Sequence, residues 1–137
     1  MPQSSPLLRR YAGAMLAERV AIGAAAALAP GPLLQAFGIA ADEDSPTLRY
    51  FARLFGIRNA VLGVLLWQAR NDPKRLGTLA AVNAATEILD ALAGSAPLVT
   101  RQGRDASAAA AVATSLAVSA GFTGLAIAAR RTARRNG

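Results

Sequence analysis

The chain has 137 residues, of which 53% are hydrophobic and 17% are charged, and its net charge is +7 at pH 7. It contains no cysteine and no histidine, which excludes disulfide frameworks, zinc fingers, the usual haem and iron–sulfur ligands, cysteine nucleophiles and Ser-His-Asp triads. A positive mean hydropathy and few aromatic residues argue against a nucleic-acid partner. We expect neither a metal nor a cofactor.

Alanine dominates the sequence with 34 copies, and it has the highest intrinsic helix propensity. The alternation of residues that is typical of strands is absent. The first apolar segment spans about residues 10–29 and ends at a Pro-Gly-Pro breaker. A longer connection follows, in which residues 33–37 have the character of a short amphipathic piece at a membrane interface. The second apolar segment spans about residues 48–68.

The third segment spans about residues 76–96, before Pro97, and the fourth spans residues 106–129 without a single charge. Stretches of about 18 or more apolar residues indicate membrane-spanning helices. We therefore predict an all-α fold, with residues 1–137 forming one membrane domain that is a bundle of four transmembrane helices. The alternative is a water-soluble, alanine-rich bundle, since charges interrupt three segments. The fourth segment, however, lacks the polar face that a soluble helix needs.

Basic residues predict the orientation of this bundle. Nine of them fall on the side that holds both termini and three on the opposite side. Because cytoplasmic loops carry the excess of Lys and Arg, both termini are expected in the cytoplasm, with the protein multi-pass in the inner (plasma) membrane. The nine are Arg9, Arg10, Arg70, Lys74, Arg75, Arg130, Arg131, Arg134 and Arg135, and the three are Arg49, Arg101 and Arg104.

Charged residues also lie inside the first three segments, three acidic and three basic. Each costs about 2.5–3.5 kcal/mol at a helix centre, so each needs a partner. The second and third segments form a hairpin around residues 72–73, which brings Arg58 level with Glu87 and within a turn of Asp90. Asn83 shares a helix face with both acids. We expect an intramembrane charge network of Glu18, Arg19, Arg53, Arg58, Asn83, Glu87 and Asp90.

This charge network has two interpretations. In the structural one, it fixes the register and packing of the helices. In the functional one, it is a proton relay or a pocket for a polar lipid head group or a small substrate, with Glu87 and Asp90 able to share a proton. Three carboxylates suit a hard cation, but the three arginines among them argue against a metal. The sequence leaves both interpretations open.

Small residues recur along one face of the fourth segment at spacings of three and four. Such a face lets two membrane helices approach closely. The partner helix lies either within the bundle or on another subunit. We call this face the small-residue stripe; its members are Ala110, Ala113, Ala117, Gly121, Gly124 and Ala128.

Short motifs along most of the chain resemble a family of small bacterial four-helix integral membrane proteins of unknown function, DoxX-like in outline. That family's pattern has Ala-Pro after the first helix, a Phe-Gly-apolar step, Gly-x-Arg-Asp/Asn in the second helix and Asp in the third. Asn59 stands where an acid is often found. The resemblance implies a fold and a location in a membrane, but it implies no established activity. The matching positions here are Ala29, Pro30, Phe37, Gly38, Gly56, Arg58, Asn59 and Asp90.

No phosphate loop, dinucleotide fingerprint or nucleophile constellation is present. The sequence therefore favours a non-catalytic accessory or scaffolding subunit of a larger membrane complex, such as an envelope lipid-transport assembly, with membrane lipids and other membrane subunits as partners. The alternative is a small membrane enzyme or carrier that acts on a lipid-like or isoprenoid substrate through the acid–arginine cluster.

Overall fold

The computed structural model describes residues 5–100 and 106–135, and within them it contains five α-helices and no strand. All except the short second helix are long and apolar enough to cross a membrane, by length and composition. The predicted all-α fold with four candidate spans is therefore confirmed, and the chain is a multi-pass membrane protein. The helices are α1 (Pro6–Leu28), α2 (Pro30–Ala36), α3 (Pro46–Ala69), α4 (Pro73–Thr100) and α5 (Ala106–Arg135).

Helices α1, α3 and α4 begin two to four residues before the predicted spans because capping residues precede them, whereas α5 begins at Ala106 as predicted. Ser5 and Ser45 each accept a hydrogen bond from the backbone N–H three residues later, at 3.2 Å. The Oδ1 of Asp72 accepts from the backbone N–H of Lys74 at 2.9 Å and of Arg75 at 3.1 Å. A proline follows each cap at the first helical position, where its missing N–H costs nothing.

Two helices also end later than predicted. The third span was expected to end before Pro97, but α4 continues to Thr100. A proline removes only one backbone donor, and membrane helices tolerate it where neighbouring groups satisfy the freed carbonyl. Helix α5 continues past residue 129 to Arg135, because arginine is a good helix former and its charge is favourable near a helix C-terminus.

The helices pack mainly as two pairs, α1 with α3 and α4 with α5. The first pair meets at two glycines. A Cβ on Gly56 would lie 2.6 Å from the backbone nitrogen of Ala27 and 2.7 Å from the carbonyl oxygen of Gly23. Only hydrogen at these positions permits such an approach of two helix backbones.

The outer surface of the bundle is apolar. Among the described residues, 18 large hydrophobic side chains are exposed, for example Leu28, Leu89 and Trp67. The buried core contains mostly alanine, with Phe122, Leu125 and a few other large side chains. A soluble bundle buries its large apolar side chains and exposes polar ones. This distribution argues against the soluble alternative.

The connection between α2 and α3 is a structured turn. Gly38 has a φ of 87°, the left-handed conformation in which glycine commonly ends a helix. Further along, Nε and Nη2 of Arg49 donate to the Asp44 carboxylate, at 2.9 and 2.8 Å. This hydrogen bonding holds the pKa of Asp44 below its usual range. The short helix α2 contacts both α1 and α3.

Candidate functional site

A buried arginine on α1 is the centre of the candidate site. Arg19 is 1% exposed, and its Nη1 lies 2.6 Å from Oε1 of Glu87 on α4. Its Nε donates to Oδ1 of Asn83 at 3.0 Å, and Nη1 also donates to Oδ1 of Asn59 on α3. Its Cζ lies 4.7 Å from the ring centroid of Phe122 on α5. One side chain therefore joins α1 to the three other long helices.

The two asparagines are fixed in the orientation that Arg19 needs. The amide nitrogen of Asn59 donates to the carbonyl of Phe55, and that of Asn83 donates to the carbonyl of Leu79, both at 2.9 Å. Since each nitrogen is used on its own helix, each oxygen is left to accept from the guanidinium. A carboxylate at position 59 could not donate to its helix and would add a negative charge, so asparagine suits this site.

A second ion pair lies beside the first. Both terminal nitrogens of Arg58 donate to Asp90, at 2.8 and 2.5 Å, which is the bidentate geometry of a strong pair. The Cζ of Arg58 lies 5.0 Å from the ring centroid of Phe55. Asp90 is one of the two carboxylates that the hairpin geometry predicted for Arg58; the other, Glu87, pairs with Arg19 instead.

Of the two remaining members of the expected charge network, Glu18 lies near the ion pairs and Arg53 does not. Glu18 is partly buried, and Arg19 and Glu87 are the charged neighbours of its carboxylate. Arg53 is exposed and forms no ion pair within the described part of the chain, so its expected place in the network is corrected. The reason is helix geometry: five residues turn a helix by about 140° relative to Arg58.

Four polar atoms of the cluster are buried and have no hydrogen-bond partner among the described residues. Two are acceptors, Oε2 of Glu18 and Oε1 of Glu87, and two are donors, Nη2 of Arg19 and Nε of Arg58. Of these, Oε1 of Glu87 still lies 2.6 Å from Nη1 of Arg19, although without hydrogen-bond geometry. Buried polar groups are nearly always paired in native structures, so each unpaired atom requires an explanation.

A cavity of about 620 Å³ adjoins the cluster, and all five helices contribute to its wall. This volume lies within the roughly 300–1,000 Å³ of typical ligand pockets. Its charged and amide lining comes from the middle of α1, α3 and α4, and apolar side chains from α2, the following turn and the start of α3 form much of the rest. The charged and amide members are Glu18, Arg19, Asn59, Glu87 and Asp90, the hydroxyl members are Thr114 and Ser115 on α5, and the apolar ones include Leu33, Leu34, Phe37, Ile39, Leu48 and Phe51.

The residues predicted as a short interfacial piece form one wall of this cavity. Leu33 and Leu34 belong to α2, and Phe37 and Ile39 flank Gly38 in the turn that follows. The left-handed Gly38 reverses the chain so that both of its neighbours line the cavity. The Phe-Gly-apolar step noted in the sequence is thus part of the cavity wall.

The small-residue stripe is divided between two environments. A Cβ on Gly121 would lie 2.9 Å from Cε of Met15, and one on Gly124 would lie 2.7 Å from the hydroxyl oxygen of Tyr11. That hydroxyl donates to the carbonyl of Gly121 at 2.6 Å. This half of the stripe packs on α1 within the bundle. The other half, Ala110, Ala113 and Ala117, is exposed.

Sequence reasoning missed the contact between Arg19 and Glu87, the part that Asn59 plays in it, and the cavity. One signal could have found the contact. Arg19 lies four residues before Gly23, and Asn59 lies three residues after Gly56, so both polar side chains share a face with a glycine that marks close packing. Among the described residues, no group of three or more His, Cys, Asp or Glu side chains could hold a metal ion.

The comparisons with known proteins give a family. The model of a domain of unknown function (DUF4267) matches residues 17–129. The chain belongs to this family. The match covers the whole cluster around Arg19 and gives no link to DoxX proteins, so the DoxX-like outline stays a prediction. No curated protein and no solved structure matches the chain.

Proposed function

We propose that this member of the DUF4267 family binds an amphiphile with one apolar chain and a small polar head, and holds or carries it within the membrane. The observation that supports the proposal is the cavity: apolar walls near α2 adjoin a cluster of charged groups in the middle of the bundle. Ligand pockets have this composition, with a mostly apolar lining and a few polar groups that orient the ligand.

The energetics of the cluster support the same proposal. Charged residues within membrane helices are costly and mark functional sites when they face a cavity. Glu18, Arg19, Glu87 and Asp90 all line the cavity, whereas the exposed Arg53 does not. A purely structural ion-pair network would not leave buried polar atoms on Glu18 and Arg19 without partners.

The test uses the purified protein in phosphatidylcholine vesicles with photoactivatable hexadecyl probes that carry a hydroxyl, methyl ether, ammonium or carboxylate head. At least one probe is expected to cross-link to residues of the cavity. Ala52→Trp places an indole in the cavity wall and should lower this labelling about tenfold, as an overpacking penalty within 1–3 kcal/mol implies.

Ala85→Trp is the matched control, because Ala85 is exposed and outside the cavity lining. Its labelling should equal that of the unsubstituted protein. The proposal fails if no probe labels the cavity, or if the two tryptophan variants are labelled equally.

The accessory-subunit interpretation is the second candidate, because the outer half of the small-residue stripe is exposed at Ala110, Ala113 and Ala117. Another subunit's helix could pack closely there. Isolation from native membranes in mild detergent distinguishes the two candidates. Stable association with large membrane subunits favours the accessory function, and bound lipid in the isolated 14.0 kDa protein favours the cavity.

We further propose that both termini are cytoplasmic and that the cavity lies in the outer half of an inner (plasma) membrane, on the basis of the nine basic residues against three. Since the chain has no cysteine, single cysteines report the orientation. On intact cells, a membrane-impermeant maleimide should label Ala41→Cys, in the turn after α2. It should label Asn71→Cys, between α3 and α4, only after the membrane is opened. The reverse pattern would overturn the orientation.

A further inference from the structure

Unpaired atoms on two side chains that line the cavity indicate which head group would bind there. Of the four atoms without a hydrogen-bond partner, Nε of Arg58 belongs to a side chain outside the cavity lining, and Oε1 of Glu87 lies 2.6 Å from Nη1 of Arg19. The other two are Nη2 of Arg19, which offers an N–H and lacks an acceptor, and Oε2 of Glu18, which offers lone pairs and lacks a donor. Both side chains line the same cavity. A head group that accepts one hydrogen bond and donates another would satisfy both atoms.

The charges of the cluster exclude an anionic head group. Three carboxylates, on Glu18, Glu87 and Asp90, already face two guanidinium groups, and each guanidinium has its own carboxylate partner. A phosphate or carboxylate head would add a further negative charge beside Glu18. Like charges at such separations disfavour each other strongly in a poorly hydrated site.

A cationic head group satisfies only half of the site. An ammonium could donate to Glu18, but it has no lone pair for the N–H of Arg19. It would also lie near the positive charge of that guanidinium. An alcohol carries both functions on one oxygen atom, because its O–H donates to the carboxylate and its lone pair accepts from the guanidinium.

We infer that the ligand is a long-chain or isoprenoid-like alcohol, with its hydroxyl between Glu18 and Arg19 and its chain along the apolar wall formed by α2 and the turn after it. This inference rests on the proposed function and adds the identity of the head group. It requires no covalent step, since the hydroxyl is bound and not transformed.

The four hexadecyl probes described above test the head group by their relative labelling of the cavity. The probe with a hydroxyl head should label the cavity about tenfold more strongly than the probe with a methyl ether head. The reason is that the ether accepts a hydrogen bond from Arg19 but cannot donate one to Glu18. The amine and the carboxylate should label more weakly than the alcohol.

Glu18→Leu removes the acceptor and should abolish the difference between alcohol and ether. This comparison within one variant does not depend on the variant's stability. Asp42→Leu, at an exposed position outside the cavity, is the matched control and should preserve the difference.

The outcomes separate the two proposals. If no probe labels the cavity, the proposed function fails. If probes label it but the amine or the carboxylate exceeds the alcohol, or the alcohol-to-ether ratio is unchanged in Glu18→Leu, the cavity binds amphiphiles and only the alcohol assignment is overturned.

Discussion

Replacing Arg19 by methionine is expected to destabilise the protein by about 3–5 kcal/mol, the cost of removing one partner of a buried ion pair. Methionine fills much of the same space, so the effect reports the lost guanidinium rather than a void. The substitution leaves the Glu87 carboxylate without its ion pair, and it leaves the side-chain oxygens of Asn59 and Asn83 without a donor. The measurement is reversible unfolding in mixed micelles.

Two further variants separate the cause from a general loss of charge. Arg53→Met removes an exposed arginine and should change the free energy of unfolding by no more than about 0.5 kcal/mol. Adding Glu87→Gln to Arg19→Met removes the unpaired charge and should recover part of the stability. If Arg19→Met and Arg53→Met lower the free energy of unfolding equally, the buried contacts of the Arg19 guanidinium do not stabilise the bundle.

Gly56→Ala should destabilise the protein by about 1–3 kcal/mol or more. The added methyl would lie 2.6 Å from the backbone nitrogen of Ala27 and 2.7 Å from the carbonyl oxygen of Gly23. Because these atoms belong to a helix backbone, α1 and α3 must separate to make room. The same unfolding measurement in mixed micelles applies.

Gly13→Ala is the matched control, since nothing lies within 4 Å of a Cβ at that position. There the substitution should stabilise the helix by up to about 1 kcal/mol through the higher helix propensity of alanine. Gly13→Ala and Gly56→Ala should therefore change the free energy of unfolding in opposite directions. Similar responses would mean that the close approach at Gly56 does not exist in the membrane.

The sequence predicts the four spans well because length and uninterrupted apolar character determine what can cross a bilayer. The pairing of Arg58 with a carboxylate of α4 was also within reach, since two consecutive helices joined by a short turn place residues at matching depths. Both predictions depend on local sequence alone.

The contact of Arg19 with Glu87 could not be predicted from the sequence. It joins α1 to α4, and nothing in the local pattern says which non-consecutive helices are neighbours. The structure packs α3 mainly on α1, across an intervening short helix, rather than on α4, which follows it directly. The cavity was hidden for the same reason, because its walls come from five helices that assemble only in three dimensions.

The division of charge between the two halves of the chain has a consequence for how the protein is made. The arginines of both ion pairs lie on α1 and α3, and their carboxylates lie on α4. During synthesis, both arginines emerge before the carboxylates that pair with them, with only Glu18 beside Arg19, and unpaired charges are costly in lipid. We therefore expect the α1–α3 pair to become stable in the membrane only after α4 is inserted. Helix α4 is only marginally apolar because it carries two acids. Pairing with the arginines that are already inserted should therefore favour its own insertion.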